Sequence, residues 1–330
     1  SIIGTQSLLN AGIANPVAAL RNGTIGWTLA GQALEHGQQR RFNSELPDDS
    51  ADARQAAKSV AERAKVGQAR LEQLHQWQAD GNRTTYLFDV RTAAEYDAGH
   101  FPGSRWVEGG QLVQETDHVA SVRGARLVLI DTDGVRAPMT ASWLAQLGWE
   151  TWLLPVPANL LIATGPWQPP LPALPNANSI SARTLAEWQQ SPGTVVLDFT
   201  ASANYVKRHI PGAHWALRAQ LPQALEHLPV AERYVLTCGS SLLARFAVEQ
   251  LQTLTGRDVF LLEGGTAAWI DAGLPLESGE THLASPRIDR YRRPYEGTDN
   301  PVEAMQGYLD WEFGLVEQLA RDGTHGFFVI

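Results

Sequence analysis

Short apolar runs followed by helical patterns of apolar residues recur along residues 83–277 of the chain. Residues 127–130 and 234–236 are continuous apolar stretches of the length expected for buried strands. The pattern that follows residue 236 has helical spacing and includes Leu242 and Leu251. Strand and helix patterns that alternate in this way predict an α/β fold with mainly parallel sheets.

Two segments of the chain match each other without a gap. Residues 258–277 read DVFLLEGGTAAWIDAGLPLE, and residues 16–35 read PVAALRNGTIGWTLAGQALE, so that Trp27 matches Trp269. Each segment predicts a strand, a glycine turn that opens a short helix, and a glycine stop, with the tryptophan in the core. We therefore expect residues 1–40 to be the C-terminal half of a domain, packed against a first half that lies outside this chain.

A further copy of the unit lies between these two segments. Residues 87–107 align with residues 196–216, and this alignment matches Asp89 with Asp198. The strand at 127–130 and its following residues match the strand before Cys238 in the same way, so that an aspartate, Asp131, stands in the place of Cys238.

Cys238, the single cysteine, lies between a predicted strand and a predicted helix. The first N–H groups of a helix have no intrahelical partner and lie at the positive end of its dipole, a setting that favours the reactive thiolate. A free cysteine is also often an inert core residue. The position favours the reactive thiol over the inert one.

Together these residues resemble the rhodanese family of sulfurtransferases. The resemblance lies in the Asp-Val-Arg to Pro-Gly-Ser stretch at 89–104 and in the strand, cysteine loop and helix at 234–251. It implies tandem rhodanese-like domains, each a mainly parallel five-stranded sheet flanked by helices, in the C-terminal part of a multi-rhodanese protein. The expected parts are a half domain at 1–40, a connecting helix at 51–79, an inactive domain at 80–175, a catalytic domain at 176–280 and a helical tail at 281–330.

The resemblance also implies the chemistry. A thiolate at Cys238 would attack a sulfane-sulfur donor such as thiosulfate, become a persulfide, and pass the sulfur to cyanide, a small thiol or a protein cysteine. No metal and no organic cofactor would be needed. Backbone N–H groups would hold the sulfur in a substrate-binding loop formed by Gly239, Ser240, Ser241, Leu242, Leu243 and Ala244.

The residues around the loop bear on the choice of donor. Ser240 matches a serine that orients substrate in mercaptopyruvate sulfurtransferases, but Asn204 stands where those enzymes carry an arginine. Thiosulfate therefore remains the expected donor. Lys207 and Arg208 could capture an anionic donor from outside the loop, or could be solvated surface residues.

The loop of the middle copy predicts an inactive site. A carboxylate cannot form a persulfide, and two carboxylates would repel an anionic donor. This degenerate loop consists of Asp131, Thr132, Asp133, Gly134, Val135 and Arg136. Arg136, and the pair Asp89 and Arg91, are expected to form structural ion pairs.

Three alternatives stay open at this point. The chain could be a non-catalytic rhodanese-fold module that binds proteins, or a 3-mercaptopyruvate sulfurtransferase. It could also be a cysteine phosphatase, since related folds support that activity. A phosphatase needs an arginine six residues after the cysteine to hold phosphate, and that position is Ala244, with Arg245 one residue late.

The composition of the chain limits the classes of partner and the cellular compartment that we expect. The net charge of −9 argues against a nucleic-acid partner, and the sequence has no apolar run of membrane-spanning length. A single cysteine fits a reducing compartment, so we expect a cytoplasmic protein. The nine histidines suggest no metal site. An apolar stripe in the tail is expected to pack on a domain or to form a homodimer, and comprises Val302, Met305, Leu309, Phe313 and Val316.

Overall fold

A computed structural model describes residues 2–39, 51–290 and 301–330 of the chain. It divides the chain into two compact units, Ser1–Pro169 with Pro294–Ile330, and Pro170–Arg293. Each unit contains one five-stranded parallel sheet with helices on both faces. The predicted α/β class and the two five-stranded sheets are confirmed.

The first unit holds the earlier sheet and the chain termini. Its strands lie in the order β1-β5-β4-β2-β3. In chain order its elements are α1 (Ile2–Asn10), α2 (Gly23–Leu29), α3 (Ala51–Arg63), β1 (Gly67–Gln68), α4 (Leu71–Ala79), β2 (Thr85–Asp89), α5 (Ala93–Ala98), β3 (Arg105–Trp106), α6 (Gly109–Gln114), α7 (Thr116–Val119), β4 (Arg126–Ile130), α8 (Arg136–Gln146), β5 (Glu150–Leu153) and a 3₁₀ turn (Ala158–Leu160).

The second unit repeats this plan. Its strands lie in the order β6-β10-β9-β7-β8. Its elements are β6 (Ser179–Ile180), α9 (Ala182–Trp188), β7 (Thr194–Asp198), α10 (Ser202–Lys207), β8 (His214–Trp215), a 3₁₀ turn (Arg218–Gln220), α11 (Leu221–Leu225), β9 (Arg233–Thr237), a 3₁₀ turn (Ala244–Ala247), α12 (Val248–Thr255), β10 (Asp258–Leu262) and α13 (Gly265–Asp271). The tail helix α14 (Val302–Asp322) belongs to the first unit.

The central strands are apolar on both sides because both faces of each sheet are covered. In the second unit, alternate residues of β9 enter two different cores: Leu236 packs with α11 and α12, and Val235 packs with α9, α10 and α13. This two-sided burial explains why the strands appear in the sequence as continuous apolar runs. The same arrangement surrounds β4 in the first unit. Among the described residues, no helix has the length and hydropathy to cross a membrane.

The predicted continuous helix at 51–79 is wrong. Helix α3 ends at Arg63, and the backbone then turns through Lys65, whose φ is 61°. Gly67 and Gln68 follow as strand β1, which pairs with β5. A Cβ on Gly67 would lie 2.3 Å from the ring of Trp152, so the close pairing needs glycine. The first sheet therefore begins before residue 80, the predicted domain boundary.

The predicted tail also begins too early. The N–H of Trp215 donates to the carbonyl of His282, and the N–H of Ala284 donates to the carbonyl of Trp215, which joins this segment to strand β8. In helix α14 only part of the expected stripe is covered. Met305 and Leu309 pack against Ile25 of α2, whereas the later stripe residues Phe313 and Val316 are exposed.

The repeat between residues 16–35 and 258–277 extends to the backbone. Asn22, Gly23 and Gly31 have left-handed φ values, as do Gly264, Gly265 and Gly273 at the matching positions. The indole N–H of Trp27 donates to Ala33, and that of Trp269 donates to Pro275.

The two copies differ in what surrounds them. Residues 16–20 do not form the predicted strand, because no described segment pairs with them. Trp27 is 40% exposed, whereas Trp269 is 2% exposed. The prediction that both tryptophans lie in the core is therefore wrong for Trp27.

Candidate active site

Cys238 is the first residue after strand β9, where the carboxyl end of the strand meets the predicted loop. Its side chain is only 5% exposed and packs in the core that contains Leu236, Leu221 and Ala244. The loop leads into the 3₁₀ turn Ala244–Ala247, and helix α12 starts only at Val248. Thus the cysteine has the predicted place, but it is a buried one.

Most backbone N–H groups of the Cys238 loop lack a protein acceptor. Ser241 donates to the Cys238 carbonyl at 3.4 Å. The other loop N–H groups donate to no acceptor among the described residues, and they belong to Gly239, Ser240, Leu242, Leu243 and Ala244. A turn that leaves successive N–H groups unpaired is a typical binding place for an anion.

The two loop serines differ in their surroundings. Ser240 is exposed, whereas Ser241 is 2% exposed and its hydroxyl has no hydrogen-bond partner in the part of the chain that the structure describes. Ser241 also has a φ of 62°, in the left-handed region that residues other than glycine rarely adopt. The sequence offered no signal for this strained backbone, because serine does not usually mark a left-handed position.

The start of helix α13 fixes the other side of the Cys238 loop. The Thr266 N–H donates to the Cys238 carbonyl at 3.0 Å, and the Ala267 N–H donates to the Gly239 carbonyl at 2.9 Å. At Gly265, with φ at 66°, a Cβ would lie 2.3 Å from the Cys238 carbonyl oxygen. The loop and the helix approach so closely that only glycine fits at this position.

In the first unit, carboxylates bond the matching loop N–H groups. Asp131, in the place of Cys238, accepts from the N–H groups of Gly134 at 3.1 Å and Ala137 at 2.7 Å. Asp133 accepts from the N–H groups of Val135 at 2.8 Å and Arg136 at 3.0 Å. Burial raises the pKa of the Asp131 carboxyl to about 6.

Arg136 ties this loop to helix α5. Its guanidinium makes a bidentate contact with Glu95, at 2.6 and 2.7 Å, and a further bond to Asp133. The hydrogen bonds from Arg136 lower the pKa of the Glu95 carboxyl to about 2. Arg136 thus forms an ion pair within the fold, as the sequence predicted.

The two copies differ again at the end of the first central strand. Just after β2, Arg91 donates to both oxygens of Asp89 at 2.6 to 3.2 Å, which is the predicted ion pair, and both residues are buried. In β7, Asp198 is fully buried, and Thr200 stands at the position of Arg91. One oxygen of Asp198 accepts from the Thr200 N–H at 2.8 Å, and the other has no partner among the described residues. The replacement of arginine by threonine was a visible signal that the sequence reasoning did not use.

Asp198 lines a cavity of about 280 Å³ beside the Cys238 loop. The cavity is bounded by the ends of β7 and α10, by the loop and by the start of α13. Its lining consists of Asp198, Thr200, Asn204, Lys207, Arg208, Gly239, Thr266, Ala267 and Ile270. Lys207 and Arg208, the two cations proposed from the sequence for anion capture, thus share a cavity with one loop residue, Gly239, but not with Cys238.

The remaining predicted residues have structural contacts. His100 and His209 stack on Tyr96 and Tyr205, at ring distances of 3.7 and 3.8 Å. Arg245 donates to the carbonyl of Pro175 rather than toward the loop. No cluster of three histidine, cysteine or acidic residues suited to a metal ion occurs within residues 2–39, 51–290 and 301–330.

Comparison with known proteins places these features in a family. The family model of the rhodanese-like domain matches residues 70–155 and 181–272. A crystal structure of thiosulfate sulfurtransferase from Pseudomonas aeruginosa is 70% identical, with a TM-score of 0.96, and the alignment covers 100% of this chain and 63% of that one. An uncharacterized protein of Synechocystis is 32% identical over 99 residues, which are 29% of this chain and 54% of that protein.

The chain spans less than two thirds of either relative. The family model, in contrast, covers more than half of this chain, in two separate matches that correspond to the two sheets. The chain therefore belongs to the rhodanese-like domain family and carries two such domains in tandem.

Proposed function

We propose that the protein is a sulfurtransferase that carries sulfane sulfur as a persulfide on Cys238. The name of the 70% identical Pseudomonas aeruginosa protein supports thiosulfate as the donor. Cys238 is the only cysteine of the chain, so it is the only side chain here that can form a persulfide.

The proposal rests on the hydrogen bonds that carboxylates make to the loop N–H groups of the first unit. Asp131 and Asp133 accept from four successive loop N–H groups, those of residues 134 to 137. The corresponding residues 241 to 244 follow Cys238, and three of their four N–H groups have no acceptor within residues 2–39, 51–290 and 301–330. A loop of this geometry binds negative charge, and a persulfide on Cys238 would supply that charge.

The reaction then needs two displacements. The Cys238 thiolate attacks the outer sulfur of thiosulfate, a new S–S bond forms, and sulfite leaves with the electron pair of the broken S–S bond. Cyanide, a small thiol or a protein cysteine next attacks the terminal sulfur, and the electron pair returns to Cys238. The N–H groups of Gly239, Ser240, Leu242, Leu243 and Ala244 hold the anionic sulfur between the two steps.

The first of the two domains is proposed to be non-catalytic. Asp131 cannot carry sulfur, and the loop N–H groups already bond to carboxylates of the same loop. Glu95 and Arg136 further tie that loop to α5. The cytoplasmic location and the homodimer through the tail remain predictions that rest on the single cysteine and on the apolar stripe of α14.

A second function deserves a test because Cys238 is 5% exposed and packs among apolar side chains. A buried, inert cysteine is what a non-catalytic protein-binding module would have. Thiosulfate could then not reach the sulfur, and the rhodanese fold would only present a surface to a partner.

Intact mass after incubation with thiosulfate separates the two functions. A sulfurtransferase gains one sulfur atom, loses it on addition of cyanide, and shows neither change in the Cys238→Ala variant. A wild-type protein that stays at its starting mass, although unfolded protein reacts fully with iodoacetamide, would overturn the enzymatic proposal and favour the binding module.

A further inference from the structure

The chain continues past the second sheet in a segment that lies at the carboxyl ends of its strands. Leu283 pairs with Trp215 beside β8, and residues 285–289, which we call the strap, follow without regular secondary structure. The Ser285 hydroxyl accepts from the N–H of Leu217 at 3.0 Å, just after β8. The strap therefore starts at the carboxyl end of β8.

The other end of the strap reaches the helix that follows the neighbouring strand. The Asp289 carboxylate accepts from the N–H of Ser202 at 2.7 Å, at the start of α10. Strand β7 precedes this helix and lies between β8 and β9 in the sheet. Cys238 follows β9 at the same edge, which is where open parallel sheets bind their ligands. The strap thus runs along this edge from β8 toward the loop of Cys238.

The residue before the strap packs in the core that contains the cysteine. Ala284 is 4% exposed and belongs to the same apolar cluster as Cys238 and Leu221. Cys238 is 5% exposed, so a reagent reaches its sulfur only when a neighbouring segment moves.

The strap is the part of these surroundings that moves at the lowest cost. Strands and helices are held by continuous backbone hydrogen bonds, whereas the strap is held by the side chains of Ser285 and Asp289 and by the exposed ion pair of Arg287 with Glu280. Residues 286–289 are all exposed. Exposed segments with few buried contacts open locally while the rest of the domain stays folded.

The first domain ends differently after the matching bridge. The bridge at Ala163 corresponds to the bridge at Glu277, since each pairs with the histidine that follows α5 or α10. The chain leaves the first unit soon after that bridge, at Pro169, whereas in the second unit it stays and forms the strap. Within the described residues, the strap therefore accompanies the domain that has the cysteine.

The two matching helices also differ in how they begin. Helix α5 has its own cap, because the Thr92 hydroxyl accepts from the N–H of Glu95. Ala201 stands at the position of Thr92 and offers no side-chain acceptor, and Asp289 of the strap supplies one to α10. Burial opposes ionisation of Asp289, but the hydrogen bonds from Ser202 outweigh it and lower the pKa of this carboxyl.

We propose that the strap closes the carboxyl edge of the sheet over Cys238, and that its release from Ser202 and Leu217 admits the sulfur donor and the acceptor. The admission of donor and acceptor rests on the proposed function. The closure itself does not, because it concerns only the access of a reagent to the thiol.

The test measures how fast iodoacetamide alkylates the folded full chain, in which Cys238 is the single thiol. Asp289→Ala should raise the rate at least tenfold, and Ser285→Ala should raise it by a smaller factor, because Asp289 still holds the far end. Asp258→Ala is the matched control and should stay within twofold, since Asp258 is exposed at the opposite end of the sheet, where β10 begins. Circular dichroism checks the folding of each variant. A rate for Asp289→Ala within twofold of the wild type overturns the proposal.

Two further variants separate release of the strap from other causes. Asp289→Asn removes the charge but keeps an acceptor oxygen, so the alkylation rate should stay within threefold of the wild type. Acceleration equal to that of Asp289→Ala would mean that the lost charge, and not the opening, activates the thiol. Adding Ala201→Thr to Asp289→Ala gives α10 a cap like that of α5, and alkylation should stay fast. A return to the wild-type rate would assign the effect to fraying of α10 and overturn the strap.

The rate of sulfur gain from thiosulfate, followed by intact mass, keeps this test separate from the proposed function. Asp289→Ala should gain one sulfur atom faster than the wild type. Faster alkylation with no sulfur gain in either protein would contradict the proposed function but not the closure. Faster alkylation with an unchanged rate of sulfur gain would show that the strap does not control entry of the donor.

Discussion

The two loops that follow strands β4 and β9, the fourth strand of each sheet in chain order, have the same backbone plan but different hydrogen-bond partners. Both begin directly after a central strand, at Asp131 and at Cys238, and both have a left-handed residue three positions later, Gly134 with φ at 70° and Ser241 with φ at 62°. In the first loop, carboxylates of the loop itself bond the N–H groups. In the second, most of the N–H groups have no acceptor among the residues that the structure describes.

The comparison shows that the backbone conformation of the loop and its ability to bind an anionic sulfur have different causes. The geometry does not depend on the cysteine, since a loop with aspartate at that position adopts it as well. Reactivity depends on what occupies the N–H groups, because an anionic sulfur must compete with any carboxylate already bonded there.

The first experiment tests whether the proposed reactivity of the Cys238 loop can be built into the Asp131 loop. In a Cys238→Ala background, Asp131→Cys combined with Asp133→Ser should give a protein that gains one sulfur atom from thiosulfate. Asp131→Cys alone should gain none, because Asp133 still accepts from the N–H groups of Val135 and Arg136. Intact mass provides the measurement. Equal gain in the single and double variants would show that the carboxylate of Asp133 does not block the loop.

The second experiment disturbs the Cys238 loop without changing any loop residue. Gly265→Ala places a Cβ 2.3 Å from the Cys238 carbonyl oxygen and forces the loop to move. We expect persulfide formation to slow by about tenfold to a hundredfold, since displacements of about 1 Å have effects of this size. Gly273→Ala is the matched control, because Gly273 has nearly the same φ, 69°, but no atom within 4 Å of the added Cβ. Equal rates in the two variants would mean that the close approach does not set the loop geometry.

The third experiment exchanges the left-handed residues. Ser241→Gly should relieve the backbone strain and raise the free energy of unfolding by up to about 1 kcal/mol, whereas Gly134→Ser should lower it by about 1 kcal/mol. The added Cβ at residue 134 would also lie 3.3 Å from a side-chain carbon of Arg54. Urea unfolding of each variant gives the comparison. A decrease in stability for Ser241→Gly would show that the buried serine hydroxyl stabilises the loop.

The smallest effect concerns the ion pair of the first loop. The pKa of Glu95 is lowered in the folded protein to about 2, so its stabilisation is present above its ordinary pKa of 4.5 and is lost as the pH falls toward 2. Glu95→Gln should therefore reduce stability by less than about 1 kcal/mol near neutral pH, since the pair is partly exposed. The difference from the wild type should vanish near pH 2. Glu226→Gln, at an exposed position, is the control. A constant difference from pH 2 to 7 would exclude an ionic cause.

Much of the fold could be predicted because each repeat contains clear strand and turn signals. The apolar runs marked the central strands, and the glycines at 23 and 265 marked the same turn in two copies. The helix predicted at 51–79 failed because its two-residue strand is too short to produce a pattern. Gly67 and Gln68 are strand residues only because β5 lies beside them. Trp27 is 40% exposed although its helix repeats the turns around the buried Trp269, so the local pattern did not decide its burial.

The sequence alone determined that Cys238 is the single cysteine, which loop follows it, and that the companion domain has an aspartate in its place. These features depend only on residue type and spacing, which can be read directly from the sequence. Only the tertiary structure decided that Cys238 is buried, that Ser241 is left-handed, and that Asp198 shares a cavity with Lys207 and Arg208. The physical reason is that burial and electrostatic pairing depend on neighbours distant in sequence, and parallel strands bring such neighbours together only when the sheet is complete.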